Sequence, residues 1–247
     1  MRARAAEGEV AVRRPGEIEP LGLVEDALVP NFASANFYHR FGLESYATWF
    51  AAARHTGKYR THQRVLQELQ WKGPRGRWTL KSPEHLFGLA ELLDTYPDAC
   101  LVQTHRDPVT AMASLAKLIH TNQAMYIPRA DPRQVGAAVR ALWGAAFERA
   151  MADRSLPAVD RAVLDIAYRD LLARPRDAVH AIYERFGLPY TNAFHRALTA
   201  HLDRQRPSRG ESRVRGEHVH HAADYGLSDA DLADAFPAYR DRFAGLI

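Results

Sequence analysis

A single cysteine, Cys100, in 247 residues rules out an intrachain disulfide and permits a reducing compartment. No apolar run is long enough to span a bilayer and no signal-peptide apolar region is present, so the expectation is a cytoplasmic protein with no membrane partner. Neither sign of charge dominates: 33 Lys and Arg stand against 29 Asp and Glu, for a net charge of +4. That mild excess suits a small anionic ligand and does not call for nucleic acid. The turn Lys72-Gly73-Pro74-Arg75-Gly76-Arg77 has two glycines, but no strand is expected before it and no GKS or GKT follows, so it does not read as a phosphate loop. His218, His220 and His221 lack a cysteine or acid at ligand spacing, so no metal is expected. No internal repeat is visible.

What is present is concentrated in residues 78–118. Trp78-Thr79-Leu80 is a short apolar run ending at Lys81. Ser82-Pro83-Glu84 follows as a helix start, with Ser as N-cap, Pro at the first helical position and an acid in the first turn. Leu86, Leu89, Ala90 and Leu93 recur at helical spacing until Tyr96-Pro97-Asp98 breaks the pattern. Residues 99–102 are continuously apolar, which predicts a strand buried on both faces, with Cys100 inside it. Asp107-Pro108 starts the next helix, whose apolar stripe is Val109, Met112, Leu115 and Leu118.

This strand–helix–strand–helix order predicts parallel strands whose carboxyl ends share one edge, where open α/β sheets bind ligands. Lys81 closes the first strand and Arg106 lies just past the second. Two cations beside two helix N-termini make an anion site, for phosphate or sulfate. Ser114, eight residues after Arg106, lies about two turns along the following helix. Each of these also has a plainer reading. Lys81 and Arg106 have the lesser alternative of solvated strand-end charges, Ser114 that of a small packing residue, Glu84 that of a helix-dipole partner and His85 that of a capping or packing residue.

LKSPEHL, then YPDA, then THRDP with a serine eight residues after its arginine, resembles the sulfotransferases that use 3′-phosphoadenosine 5′-phosphosulfate, in their broad bacterial branch. The resemblance extends more loosely from about Tyr46 to the C-terminus. It implies that Arg106 and Ser114 hold the 3′-phosphate of the nucleotide and that Lys81 lies near the transferred sulfonate. It also implies that His85, or failing it Glu84, is the general base. Ala167-Tyr168-Arg169-Asp170-Leu171 is similar to the family's YxDL segment, which places Tyr168 near the adenine. Arg209-Gly210, within the basic stretch 204–216, matches a loop that closes over the 3′-phosphate; a solvated flexible loop fits that stretch as well. The implied co-substrate is 3′-phosphoadenosine 5′-phosphosulfate, without a metal, and the implied partner is a small-molecule acceptor bearing a hydroxyl or amine.

The expected fold is therefore α/β: a small parallel sheet flanked by helices, of the P-loop type, in one domain over 31–247. A poorly ordered segment covers 1–30, with a short helix around 21–28. Further helices are expected over 45–53, 59–71, from Asp131-Pro132 through Phe147, and over 175–186, where Gly187 is the C-cap. A third strand is expected over 162–166. The aromatic residues of 31–41 fall where the family approaches its acceptor, and equally suit a packed helix surface. In the family, a strand and a glycine-rich loop that grips the 5′-phosphosulfate come first. Nothing of the kind precedes Trp78, so the expectation is a chain lacking that first strand–loop–helix unit, with activity correspondingly in doubt. A non-catalytic binding module of the same fold is the alternative, and a P-loop kinase relative a further one.

Overall fold

Two pairs of parallel strands set among helices carry the fold in the computed structural model, which describes residues 21–24, 32–73, 76–205 and 222–247. Strand β1 (Leu21–Val24) pairs with β2 (Trp78–Lys81), and β3 (Leu101–His105) pairs with β4 (Val163–Ala167). Both pairs are parallel. Two expectations are corrected here. Residues 21–24 are a strand rather than the start of a helix, so a strand does precede Trp78. In addition, β2 and β3 are not hydrogen-bonded neighbours among the described residues, so Lys81 and Arg106 close strands of different pairs.

The helices follow their start and stop signals. Among the described residues, α1 (Asn36–Phe41), α2 (Glu44–Ala52) and α3 (Thr56–Gln70) lead to β2. After β2, the Ser82 hydroxyl accepts from the Glu84 amide at 3.1 Å, and Pro83 occupies the first helical position. The turn is not one continuous helix, however. Pro83–Phe87 is 3₁₀, and α4 (Leu89–Thr95) starts afresh after Gly88. A Cβ at Gly88 would lie 3.0 Å from a Glu91 carboxylate oxygen and 3.3 Å from the His55 Cβ, so the backbone turns where a side chain of α4 meets the residue that precedes α3.

Asp107 caps α5 (Pro108–Ala124), accepting from the Thr110 amide at 3.1 Å, and Asp131 caps α6 (Pro132–Arg154), accepting from the Arg133 amide at 2.9 Å. These two long helices form the centre of the core, where Met112, Ala116, Ile119, Val139, Trp143 and Ala146 are buried. Gly136 of α6 lies against the 3₁₀ turn Ala222–Tyr225, and a Cβ there would come within 2.0 Å of the Tyr225 carbonyl oxygen. The chain continues through α7 (Pro157–Ala162), β4, α8 (Tyr168–Ala173), α9 (Pro175–Arg185) and α10 (Asn192–Gln205). It ends in α11 (Asp229–Asp234) and α12 (Pro237–Phe243), which pack on the same core through Leu232, Phe236, Tyr239 and Phe243. Gly187 takes a left-handed φ of 61°, and its amide and that of Leu188 close α9, as its glycine predicts.

β3 starts at Leu101, later than expected, and only one of its faces is covered: Val102 is exposed and His105 is fully buried. Cys100 therefore lies before the strand and is half-buried, with its sulfur 3.4 Å from an Arg77 guanidinium nitrogen, rather than inside a doubly covered strand. No described helix is long and apolar enough to cross a membrane.

Candidate active site at the carboxyl ends of the strands

The register of β3 and β4 pairs His105 with Ala167, so the residues that leave the two strands, Arg106 and Tyr168, emerge side by side. The Arg106 guanidinium lies over the Tyr168 ring, 5.3 Å from its centroid. Arg106 is exposed and Tyr168 half-buried, so this cation–π contact contributes only about 0.5–1 kcal/mol. Its larger consequence is geometric, because it holds a cation and an aromatic face together at one strand edge. Asp107 follows at once and starts α5, and Ser114 is exposed two turns along that helix. Arg209 and Gly210 lie outside the described residues.

Beneath this edge is a closed polar network. His105, fully buried, has its Nε2 2.8 Å from Asp165 Oδ1 and its Nδ1 2.9 Å from the Tyr239 hydroxyl. Arg154 donates two hydrogen bonds to Asp165, at 2.9 and 2.7 Å, one to Asp160 at 2.7 Å and one to Gln103 at 3.0 Å. Arg242 also pairs with Asp160. Burial pushes the Asp165 carboxyl up, but the hydrogen bonds from His105 and Arg154 and the Arg154 charge outweigh it and hold it well below the usual carboxylate range. Tyr239 belongs to α12, so the C-terminal helix is tied to the residue immediately before Arg106. The composition of β4 carried a signal for this network, since Asp165 is an acid inside an apolar strand. Arg154 and Tyr239 carried none, because only the fold brings them there.

The end of β2 is different. Lys81 is exposed, but the residues after Ser82 turn inward. Glu84 is 1% exposed: one oxygen accepts from the Ser34 hydroxyl at 2.7 Å, and the other pairs with Lys58 at 3.3 Å. The Lys58 ammonium, itself buried, also lies over the rings of Phe50 and Tyr59. Glu84 thus joins the segment before α1, helix α3 and the 3₁₀ turn, and both of its oxygens are engaged. His85 stacks on Tyr59, with Nδ1 3.1 Å from the Tyr59 hydroxyl. Desolvation, then the Lys58 charge and His62, hold the His85 pKa down to about 3. His55 is also held to about 3, first by burial and then by Lys58 and Arg149, and His62 to about 4 by burial and Lys58. The region around Gly88 is not fully satisfied: both ring nitrogens of His55 and Glu91 Oε2 have no hydrogen-bond partner among the described residues, while Glu91 Oε1 accepts from Arg149 at 2.5 Å. Lys58 and Tyr59 lie in an amphipathic helix with nothing in their spacing to mark them.

Of the residues that the sequence singled out, Arg106 and Tyr168 are brought into contact, whereas Glu84 is bonded to Ser34 and Lys58 and His85 to Tyr59. No described group of His, Cys, Asp and Glu is arranged to hold a metal ion.

Comparison with known proteins gives this arrangement a family. No curated protein matches the chain. Sulfotransferase STF9 from Mycobacterium avium superposes with a TM-score of 0.77 at 25% identity, over 86% of this chain and 53% of that one. Sulfotransferase STF1 from Mycobacterium tuberculosis H37Rv does so with a TM-score of 0.69 at 31% identity, over 85% of this chain and 53% of that one. The chain thus spans about half the length of the solved relatives it matches. The model of the sulfotransferase family matches residues 3–192, more than half of the chain. This chain belongs to the sulfotransferase family.

Proposed function

We infer that the β3–β4 edge is the 3′-phosphate end of a site for 3′-phosphoadenosine 5′-phosphosulfate, and that the chain contributes to sulfonate transfer onto a small acceptor bearing a hydroxyl or amine. The observation that carries this reading is the contact of Arg106 with Tyr168 at the paired ends of β3 and β4. An exposed guanidinium presents a planar fork of donors suited to a phosphate, and an aromatic face beside it suits a purine. Arg106 would hold the 3′-phosphate, Tyr168 would flank the adenine, and Ser114 on α5 would add a hydroxyl. Lys81, exposed at the end of β2, would stabilise charge on the sulfonate. Bound there, the phosphosulfate supplies a sulfonate whose S–O bond to the 5′-phosphate breaks as the acceptor bonds to sulfur and loses its proton. Glu84 acts as a structural anchor, because both oxygens are committed to Ser34 and Lys58.

A second reading is favoured by one sequence feature. No glycine-rich stretch carrying Lys or Arg with Ser or Thr is found in the sequence before Trp78, and that is the pattern whose backbone N–H groups would cradle the 5′-phosphosulfate. On that reading the chain binds nucleotide through its 3′ end and transfers little. Poor positioning of the 5′ end would remove much of the advantage that oriented reactants bring, which reaches about 7–11 kcal/mol. The experiment is to assay this chain with the sulfonate donor, an acceptor panel and excess chelator. Transfer well above background supports the enzyme reading, and nucleotide binding without transfer supports the second. Turnover that needs magnesium and a nucleoside triphosphate would contradict both.

A further inference from the structure

We propose that Tyr59 is a positioning residue that fixes His85 as its Nε2–H tautomer, so that His85 presents a hydrogen-bond donor, rather than a free base, in the turn that follows Lys81. The proposal rests on the sulfotransferase reading for its purpose but not for its evidence, which is donor and acceptor accounting at two side chains.

Tyr59 is 0% exposed. Among the described residues, the one hydrogen-bond partner of its hydroxyl is His85 Nδ1, at 3.1 Å. Burial, and then the charges of Glu84, Glu91 and Asp153, raise the Tyr59 pKa well above its ordinary value, so the hydroxyl keeps its proton. That proton needs an acceptor. A neutral imidazole has one donor nitrogen and one acceptor nitrogen. If Nδ1 accepts from Tyr59, both groups are satisfied and the ring proton sits on Nε2. If Nδ1 instead carried the proton and donated to the tyrosine oxygen, the Tyr59 O–H would be a buried donor without a partner. Leaving such a group unpaired disfavours the second arrangement by roughly tenfold or more. Full protonation of the ring is opposed by burial and by the Lys58 charge.

The ring is also held in orientation, since it stacks on Tyr59 at 5.8 Å with planes 24° apart, and Tyr59 is itself fixed inside α3. Nε2 has no partner among the described residues, and His85 is only half-buried, four residues beyond the exposed Lys81. An N–H there and an ammonium four residues away are two donors of the kind that a sulfonate's oxygens accept. In this arrangement His85 does not take the acceptor's proton. As the bond from the acceptor to sulfur forms and the S–O bond to the leaving phosphate breaks, the acceptor's proton becomes strongly acidic and passes to water.

The test is a long-range ¹H–¹⁵N correlation spectrum of the full chain labelled with ¹⁵N-histidine, recorded near pH 7 without ligand. His85 is identified by the signals lost in His85→Gln. The expected result is a neutral ring whose unprotonated nitrogen is Nδ1. Tyr59→Phe should shift that ring toward a mixture of the two neutral tautomers, while far-ultraviolet dichroism stays unchanged. A His85 ring protonated on Nδ1, or on both nitrogens, in the unsubstituted chain would overturn the proposal whether or not Tyr59→Phe folds. Titration of the same sample with adenosine 3′,5′-bisphosphate separates the two claims. Absence of binding beside an Nε2–H ring counts against the nucleotide reading alone, and binding beside an Nδ1–H ring counts against the tautomer alone.

Discussion

The carboxyl ends of the two strand pairs are built on different principles. Under the end of β3 and β4, the buried polar groups are bonded to one another: Arg154 serves Asp165 and Asp160, and His105 is bonded at both nitrogens. The exposed pair above it, Arg106 and Tyr168, stands on a satisfied base. Behind the end of β2, the ion pair Lys58–Glu84 is buried among neutral histidines and Arg149 pairs with Glu91, but His55 and Glu91 Oε2 keep polar atoms without partners among the described residues. The first arrangement fixes the strand ends through paired charges. The second keeps neutral histidines around a buried ion pair, at a cost in stability that depends on pH.

That contrast can be broken first with acid. His39, His55 and His62 are buried, and their pKa values are held near 4, 3 and 4, below the ordinary 6.5, chiefly by burial. The unfolded chain therefore binds protons that the folded chain refuses. Stability is at its full value above about pH 6.5 and falls as pH drops toward 4, by about 1.4 kcal/mol per pH unit for each histidine, or roughly 2 kcal/mol each at pH 5. Urea unfolding at pH 7.5 and pH 5 should show this loss, and His55→Phe should lessen it. A stability independent of pH over that range would mean that these rings are not buried neutral.

Next in size is the buried ion pair. Lys58→Met leaves Glu84 without its cation and should cost about 3–5 kcal/mol, while the double variant Lys58→Met/Glu84→Gln should recover much of that. A Lys58→Met loss below about 1 kcal/mol would show that the pair is not buried as described. On the other side, Tyr239→Phe removes the partner of His105 Nδ1, and the unsatisfied nitrogen should cost about 1–3 kcal/mol in urea unfolding, with looser packing of α12. The smallest effect concerns Cys100. It lies before β3 and is half-buried, so a thiol reagent should label it in the native state, and protection as complete as that of a core thiol would contradict this placement.

The order of elements was legible because it is written in local chemistry. Ser82-Pro83, Asp107-Pro108 and Asp131-Pro132 start helices for reasons that do not depend on the rest of the chain. Pairing was not legible. Residues 21–24 read as a helix start, and only the presence of β2 beside them makes them a strand. The apolar run 99–102 predicts a buried Cys100, whereas the backbone starts pairing at Leu101, two residues later, and leaves one face open. At the site, Arg106 and Tyr168 were each marked by the resemblance of their segments, but their contact follows from the register of β3 on β4. The inward turn of Glu84 depends on Lys58 and Ser34, which are distant in sequence and carry no motif.

The most direct test of the β3–β4 edge as a 3′-phosphate site is calorimetric titration of the chain and of Arg106→Ala with adenosine 3′,5′-bisphosphate and with adenosine 5′-phosphate. The account predicts that the chain prefers the bisphosphate. It also predicts that Arg106→Ala weakens that ligand by about 1.5–3 kcal/mol, roughly ten- to a hundredfold, with little effect on the monophosphate. Equal losses for both ligands, or no preference in the unsubstituted chain, would contradict it.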